Sequence, residues 1–469
     1  MNKITKQKAL HAHSWVGVFL SVLLYLVCLS GTVAVFHLEF ERWEQPHIEE
    51  MPSVTPDAVN KAMNRFLDKH PEDTKHLYAV FPTSDIPRLV VENDNESYFA
   101  TQKGELIEKE SVSFTEMLVD LHLYLHLPKS WGMILVSALG ALICTLVITG
   151  IIAHKRIAKD AFALRKGGNR QQHKIDLHNR FGLWASPFHL IIGVTGTYFG
   201  MAGIILVTVA QLNYNGDRDA VVEQVFTPDP VIAPQSGKAD IAKAFSQMDV
   251  LAPEKSPIFL TVHEVGTPQQ FIEIYAKAPQ KMIYAEGYRF DSNGDFIGVA
   301  GYENGEWGKQ VIWSMYRLHF GDFAGLTSKW LYFVFGVMLT ILCVSGMEIW
   351  LSKKAYPVLP TRLWHSAIWG SISALSFTAV VDMYYEGSLT AVFWCFILLN
   401  TLAAAASARF TKSVWLLISA LSVLCLLVAY GVTHGKASFT VSSLQLNIPL
   451  TGYVVWAFYR SFRLRHVQA

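Results

Sequence analysis

Charge is scarce in this 469-residue chain: Asp, Glu, Lys and Arg make up 16% of it, against 51% hydrophobic residues. The net charge of +1 leaves no basic surplus for holding a polyanion, so no nucleic acid partner is expected. Cysteine is sparse as well. Cys28, Cys144, Cys343, Cys395 and Cys425 all fall inside apolar stretches, and no two form a C-x-x-C pair. That excludes a disulfide framework, a thiolate-held iron–sulfur cluster and a covalent c-type haem. Missing too are a G-x-G-x-x-G after a strand and a Walker loop, so no nicotinamide, flavin or nucleotide domain is visible.

What the chain has is long apolar runs. Eight lie near 14–36, 131–153, 181–208, 330–351, 363–383, 388–408, 413–433 and 444–460. Crossing a hydrocarbon core of ~30 Å takes about 20 residues at ~1.5 Å each, and in lipid only a helix satisfies its own backbone. The expected fold is a polytopic α-helical membrane protein with about eight transmembrane helices. Basic residues gather at Lys3, Lys6 and Lys8, through the 154–180 loop, at Lys353, Lys354 and Arg362, at Arg409 and Lys412, and at Arg460, Arg463 and Arg465. If all eight spans alternate, these clusters share one side. The positive-inside rule makes that side, and both termini, cytoplasmic. The first run is too long for a removable signal, and no small-residue cleavage site follows Phe36.

Two large loops, 38–125 and 211–325, then face outside, and each reads as a small α+β module. In the first, Thr55-Pro56 has the form of an N-cap with proline at the first helical position. Ala58, Val59, Ala62, Met63, Phe66 and Leu67 follow on one helical face. Strands are expected at 76–81, 86–92 and 96–101, with Lys103-Gly104 as a turn. The second loop repeats the scheme, with a helix at 239–247 and strands near 257–263, 270–276 and 282–290. The acidic turn at 291–295 lacks the spacing of a calcium loop and reads as an ordinary hairpin turn.

The apolar part repeats more sharply. His13 lies 18 positions before Gly31 of Ser30-Gly31-Thr32, and His178 lies 18 before Gly196 of Thr195-Gly196-Thr197. Leu121-His122 precedes the second span, which ends Thr149-Gly150. Leu318-His319 precedes the fourth, which ends Ser345-Gly346. Those separations are 28 and 27. Two units that start on the same side are parallel repeats about an axis along the membrane normal. The expected organisation is unit one over 9–153, a basic loop over 154–180, unit two over 181–355 and a four-helix extension over 363–460.

Seventeen histidines are present. The repeat pairs His13 with His178 at one end of the helices and His122 with His319 at the other. Imidazoles on opposite sides of a two-fold axis suit a six-coordinate haem iron, and two such sites would carry electrons across the membrane. The bland reading is that histidines at helix ends are interfacial, as His154 and His365 are read to be. His189 competes for a ligand role: it follows His178 by 11 residues, on nearly the same helix face and about 16 Å further along. His126, one turn after His122, is the other alternate. Gly31, Gly150, Gly196 and Gly346 either let helices approach closely or make room for a flat macrocycle. Trp15, Trp43, Trp131, Trp307, Trp313 and Trp330 suit an aromatic belt.

These motifs together resemble the PepSY-associated transmembrane family, the iron-regulated membrane protein and siderophore reductase type. They are His13-Ser14-Trp15-x-Gly17, Leu121-His122, Leu177-His178-x3-Gly182 and Leu318-His319-x-Gly321-Asp322, with Ser345-Gly346-x3-Trp350-Leu351. The resemblance covers about residues 9–355, and the two loops resemble PepSY modules. It implies a bacterial inner-membrane, b-type dihaem oxidoreductase with two haem b groups ligated by His13, His178, His122 and His319. Such a protein passes electrons to a ferric siderophore or other ferric chelate in the periplasm. With no cofactor domain of its own, it would take them from a separate flavoprotein or a membrane quinol. Two features depart from the family pattern: the extension over 363–460, and His154 where a counterpart of Trp350 is expected. Two other readings stay open, a non-enzymatic PepSY module binding a protein or peptide, and an iron-chelate transporter.

Overall fold

The computed structural model describes all residues except 1–2, 71–74, 155, 157–158, 160–161, 163–169, 236, 279–280, 355–357 and 469. In chain order the helices begin with α1 (Lys3–Phe19), α2 (Ser21–Ala34) and α3 (His37–Glu44), and α4 (Pro56–Lys69) opens the first insert. Strands β1 (Leu77–Val80), β2 (Leu89–Glu92), β3 (Ser97–Ala100) and β4 (Leu106–Lys109) follow. The chain then forms α5 (Ser113–Tyr124), α6 (Lys129–Ala153), α7 (Arg170–Trp184) and α8 (Ser186–Asn213). The second insert holds α9 (Arg218–Val225), α10 (Ile241–Leu251), β5 (Ser256–His263), β6 (Phe271–Lys277), β7 (Glu286–Asp291), β8 (Phe296–Val299) and α11 (Trp307–Phe320). Last come α12 (Gly325–Leu351), α13 (Val358–His365), a π turn (Ser366–Gly370), α14 (Ser371–Asp382), α15 (Leu389–Ala406), α16 (Lys412–His434) and α17 (Val441–Gln468).

The chain divides into two compact units. The helical unit comprises Met1–Pro46, Val112–Met201 and Leu326–Ala469; the insert unit comprises His47–Ser111 and Ala202–Gly325. Among the described residues, five helical stretches are long and apolar enough to cross a membrane: α6, α8, α12, α15 and Lys412–Phe439. A sixth candidate is α1 with α2, bent by 71° at Leu20. At that break the Ser21 hydroxyl donates to the Val18 carbonyl at 2.9 Å, a side-chain bond of the kind that bends helices. Eight spans therefore exceed what helix length and composition support among the described residues. The 363–383 run is interrupted by the π turn, and the helix over 444–460 carries Gln445 and Asn447 and an internal Pro449.

In the insert unit the two loops do not form two separate sheets. All strands join one antiparallel sheet in the order β4-β3-β2-β1-β5-β6-β7-β8. The halves meet where β1 pairs with β5, Leu77 opposite Val262 and Val80 opposite Phe259. Two helices cover one face, each started by a side-chain cap. Thr55 accepts from the Ala58 amide at 3.3 Å ahead of Pro56, and Asp240 accepts from the Lys243 amide at 2.9 Å. Val59, Met63 and Phe66 of α4 and Ile241, Ala244 and Met248 of α10 share a core with Leu77, Leu89, Leu260, Ile272 and Phe290. The turn at 291–295 is a hairpin turn: the Asp291 amide donates to Asp295, the Gly294 amide donates to Asp291, and Gly294 has φ 78°. Gly294 faces the start of α10, where a Cβ would lie 2.7 Å from the Asp240 carbonyl, so both sterics and conformation require glycine. Strands β4 and β8, which no sequence signal announced, form the sheet edges.

Candidate functional site

Three of the repeat histidines lie in the helical unit, and each is seated the same way. The His13 Nδ1–H donates to the Leu146 carbonyl at 3.0 Å, and the ring packs on Gly150, where a Cβ would stand 3.2 Å from Cε1. The His122 Nδ1–H donates to the Val27 carbonyl at 3.0 Å, and the ring fills the space over Gly31, where a Cβ would lie 2.7 Å from Nδ1. The His178 Nδ1–H donates to the Ser345 hydroxyl at 2.9 Å, which itself donates to the Leu342 carbonyl at 3.3 Å; a Cβ on Gly346 would meet Cε1 at 3.3 Å. Each seat is thus a glycine plus the carbonyl one turn before it, at positions 27/31, 146/150 and 342/346.

That arrangement fixes the tautomer. For His13 and His122 a carbonyl can only accept, so the proton sits on Nδ1 and the lone pair on Nε2, which is how ligating histidines are commonly oriented; the Ser345 hydroxyl allows His178 the same tautomer. Burial, then the neighbouring His13, holds the His178 imidazole down at about 4, and burial lowers that of His122, so both are neutral at pH 7. Neutral imidazole is the metal-binding form.

The structure brings His13 and His178 together. Their ring centroids are 6.1 Å apart with planes at 87°. Two metal–imidazole bonds of roughly 2 Å, with half of each ring added, put ligands on opposite sides of one metal at roughly 6 Å between centroids. The spacing therefore fits a shared axial metal.

His189, on α8, is 0% exposed; neither ring nitrogen completes a well-formed hydrogen bond, the Phe335 carbonyl being the nearest acceptor. Phe188 packs beside it at 6.0 Å. An imidazole left in this state is unfavourable by about 1–3 kcal/mol unless something else binds it. His126 is the opposite case: Nε2–H donates to the Met117 carbonyl at 2.8 Å, and Nδ1 accepts from the Trp394 indole at 3.0 Å. Both of its nitrogens are in use. His319 lies in the insert unit, in the last turn of α11 before Gly321, with its ring 5.7 Å from that of Phe320.

His154 and His365, read as interfacial, have protein neighbours. The Asn179 amide bonds His154 Nε2 at 3.1 Å, next to His178. His365 lies near Glu348, which binds Lys174 at 2.7 Å and Lys412 at 2.9 Å. The lysine pair ties α7, one turn before His178, to α16. Nothing in the sequence announces this contact, because Lys174, Glu348 and Lys412 are far apart in the chain.

A multi-span helical membrane protein with an antiparallel-sheet insert and paired histidine seats is the class that fold and site define. The chain belongs to the PepSY-associated TM region family, whose profile matches residues 10–353. It is also 25% identical over 255 residues to the uncharacterized protein PA4219 of Pseudomonas aeruginosa, a match covering 51% of this chain and 64% of that protein. The chain thus spans less than two thirds of that relative's length.

Proposed function

We propose that the chain is a b-type dihaem oxidoreductase of the bacterial inner membrane, with two PepSY-like periplasmic inserts and a parallel repeat in its first four spans. It takes electrons from a separate flavoprotein or quinol and reduces a ferric siderophore or related ferric chelate on the outer side. The observation that carries this reading is the His13–His178 pair, 6.1 Å apart, each ring seated on glycine and hydrogen-bonded through Nδ1. Haem bound there supplies one-electron transfer. The protein's own work is to orient Nε2, to exclude water and to keep both imidazoles neutral.

His13 and His178 hold one haem in this account. His122 supplies a ligand to the second, and two residues compete for its other side: His319, its counterpart by the repeat, and His189, whose buried nitrogens need a partner. One electron converts the bound ferric ion to ferrous, whose weaker hold on hard oxygen donors releases it from the chelate.

The test is haem content of detergent-solubilised protein. Two equivalents are expected in the wild type and one in His13→Ala or His178→Ala. A colourless preparation from haem-sufficient cells would sink the reading. The alternative, a module that binds a protein or peptide, draws on the open edge strand β8, where Phe296 and Ile297 are 39% and Val299 50% exposed. Colourless protein would favour that module, or a chelate transporter.

A further inference from the structure

The helices from Val358 onward lie beyond the family match, and the proposed electron path gives them no task. We propose that they are a clasp that sets the position of His122, gripping α5 at both ends through Asp382 and Trp394; as a role for a haem ligand this rests on the dihaem reading.

At its start α5 has no cap of its own. Val112 stands at the N-cap and supplies no acceptor. The acceptor comes from α3: Glu44 takes the Phe114 amide at 3.0 Å and the Thr115 amide at 2.9 Å, and the Thr115 hydroxyl as well. The carboxyl of Asp382, at the end of α14, lies close enough to Glu44 for the two to interact, and α14 packs on α5. Two neighbouring buried carboxyls are favoured with one of them protonated. Glu44 carries that proton, burial and Asp382 having pushed it up to about 8. The first turn of α5 is therefore held through Glu44 from the C-terminal helices.

At its end α5 stops in an unusual way. Leu125 and His126 both adopt left-handed backbone, with φ 54° and 55°. Side chains other than glycine disfavour that region, and two such residues in succession need outside support. The support is visible. The Trp394 indole N–H of α15 donates to His126 Nδ1 at 3.0 Å, which forces the His126 proton onto Nε2, and that N–H closes on Met117 inside α5 at 2.8 Å. Phe393, 0% exposed, packs against the same imidazole with centroids 6.1 Å apart.

His122 sits one turn before this lock. Its ring must meet the Val27 carbonyl and lie over Gly31, where not even a methyl fits. Such a seat tolerates little rotation of α5, so whatever fixes the two ends of the helix fixes the imidazole. Asp382 and Trp394 touch no ligand atom. They act through Glu44 and His126 and are positioning residues.

The experiment uses the full chain in detergent with Trp394→Phe, which keeps the aromatic bulk and removes the N–H, and with Asp382→Asn as the second variant. Amide hydrogen exchange over 113–126 is read beside the low-spin ferric spectrum. In Trp394→Phe, exchange at the 117–126 end should quicken by roughly three- to tenfold, the factor for one lost hydrogen bond. Haem content should hold at two equivalents, and only the signal of the haem that depends on His122 should shift. Asp382→Asn should quicken exchange at the 113–117 end. Unchanged exchange in both variants overturns the clasp, as does a spectrum that stays fixed while exchange quickens, because α5 would then be held without setting the ligand. Faster exchange in a protein that binds no haem would sink the dihaem reading and leave the grip on α5 standing.

Discussion

Glu286 in the insert unit and His189 in the helical unit are both buried polar side chains, 3% and 0% exposed, and they are satisfied in opposite ways. Glu286 accepts the amides of Gly287, Gly301 and Tyr302 on Oε1 at 2.9–3.1 Å and that of Glu303 on Oε2 at 2.7 Å. Neither nitrogen of His189 completes a well-formed hydrogen bond. A buried carboxylate with four donors is finished; it organises the loop after β8 and needs nothing further. A buried imidazole with none is unfinished. The contrast belongs to these two side chains: the carboxylate has a full set of donors, whereas the imidazole keeps nitrogen capacity that a further group could use.

The largest expected effect tests the closed side. Glu286→Ala strands four buried amides, and the insert should lose about 3 kcal/mol or more, read as earlier thermal unfolding and faster proteolysis around 286–303. Stability unchanged within error would show that water replaces the carboxylate and that the contrast with His189 is false.

His189→Leu probes the open side and should split two readouts. Without haem the variant gains stability, on the order of 1 kcal/mol, because an unsatisfied polar group is replaced by an apolar one. With haem it should lose one equivalent if His189 is the partner of His122, whereas His319→Ala should then keep both. Loss in His319→Ala and not in His189→Leu reverses the assignment.

Smaller effects come from the seats. Gly31→Ala drives a methyl into the His122 ring, while Gly150→Ala and Gly346→Ala meet Cε1 at 3.2 and 3.3 Å, where the ring can give by a few tenths of an ångström. Haem loss should follow that order, with Gly31→Ala well ahead. Equal loss in all three would mean that the glycines serve helix packing alone.

The smallest effect is electrostatic. Glu44 is raised from its ordinary value to about 8, so the folded state holds a proton that the unfolded chain releases above about 4.5. Stability from this group is therefore complete below about pH 4.5 and declines as pH rises through about 8, where its charge would face that of Asp382. Glu44→Gln, which keeps the size and needs no proton, should flatten thermal stability between about pH 4.5 and 8. A profile as steep as that of the wild type would remove Glu44 as its source.

Much of this was legible in the residues. Thr55-Pro56 and the apolar face of α4 announced a capped helix, and the strands expected at 76–81, 86–92 and 96–101 contain β1, β2 and β3. The joining of both loops into one sheet was not legible, because the β1–β5 pairing is a long-range contact with no local signature. The bend at Leu20 was hidden inside a uniformly apolar run. Histidine and glycine positions were visible at spacings of 18 and 28, but each imidazole rests on the glycine of a different helix. His13 meets Gly150 and His122 meets Gly31, contacts between separate helices that a spacing along one segment does not reveal. The orphaned state of His189 has no signal in sequence at all.

The most direct measurement is low-temperature electron paramagnetic resonance of the oxidised full-length protein. His13 and His178 stand with their planes at 87°, and perpendicular axial imidazoles give ferric haem a strongly anisotropic low-spin signal. The account predicts that signal in the wild type and its loss in both His13→Ala and His178→Ala. A wild-type sample without low-spin ferric haem, or a strongly anisotropic signal that survives both substitutions, would contradict it.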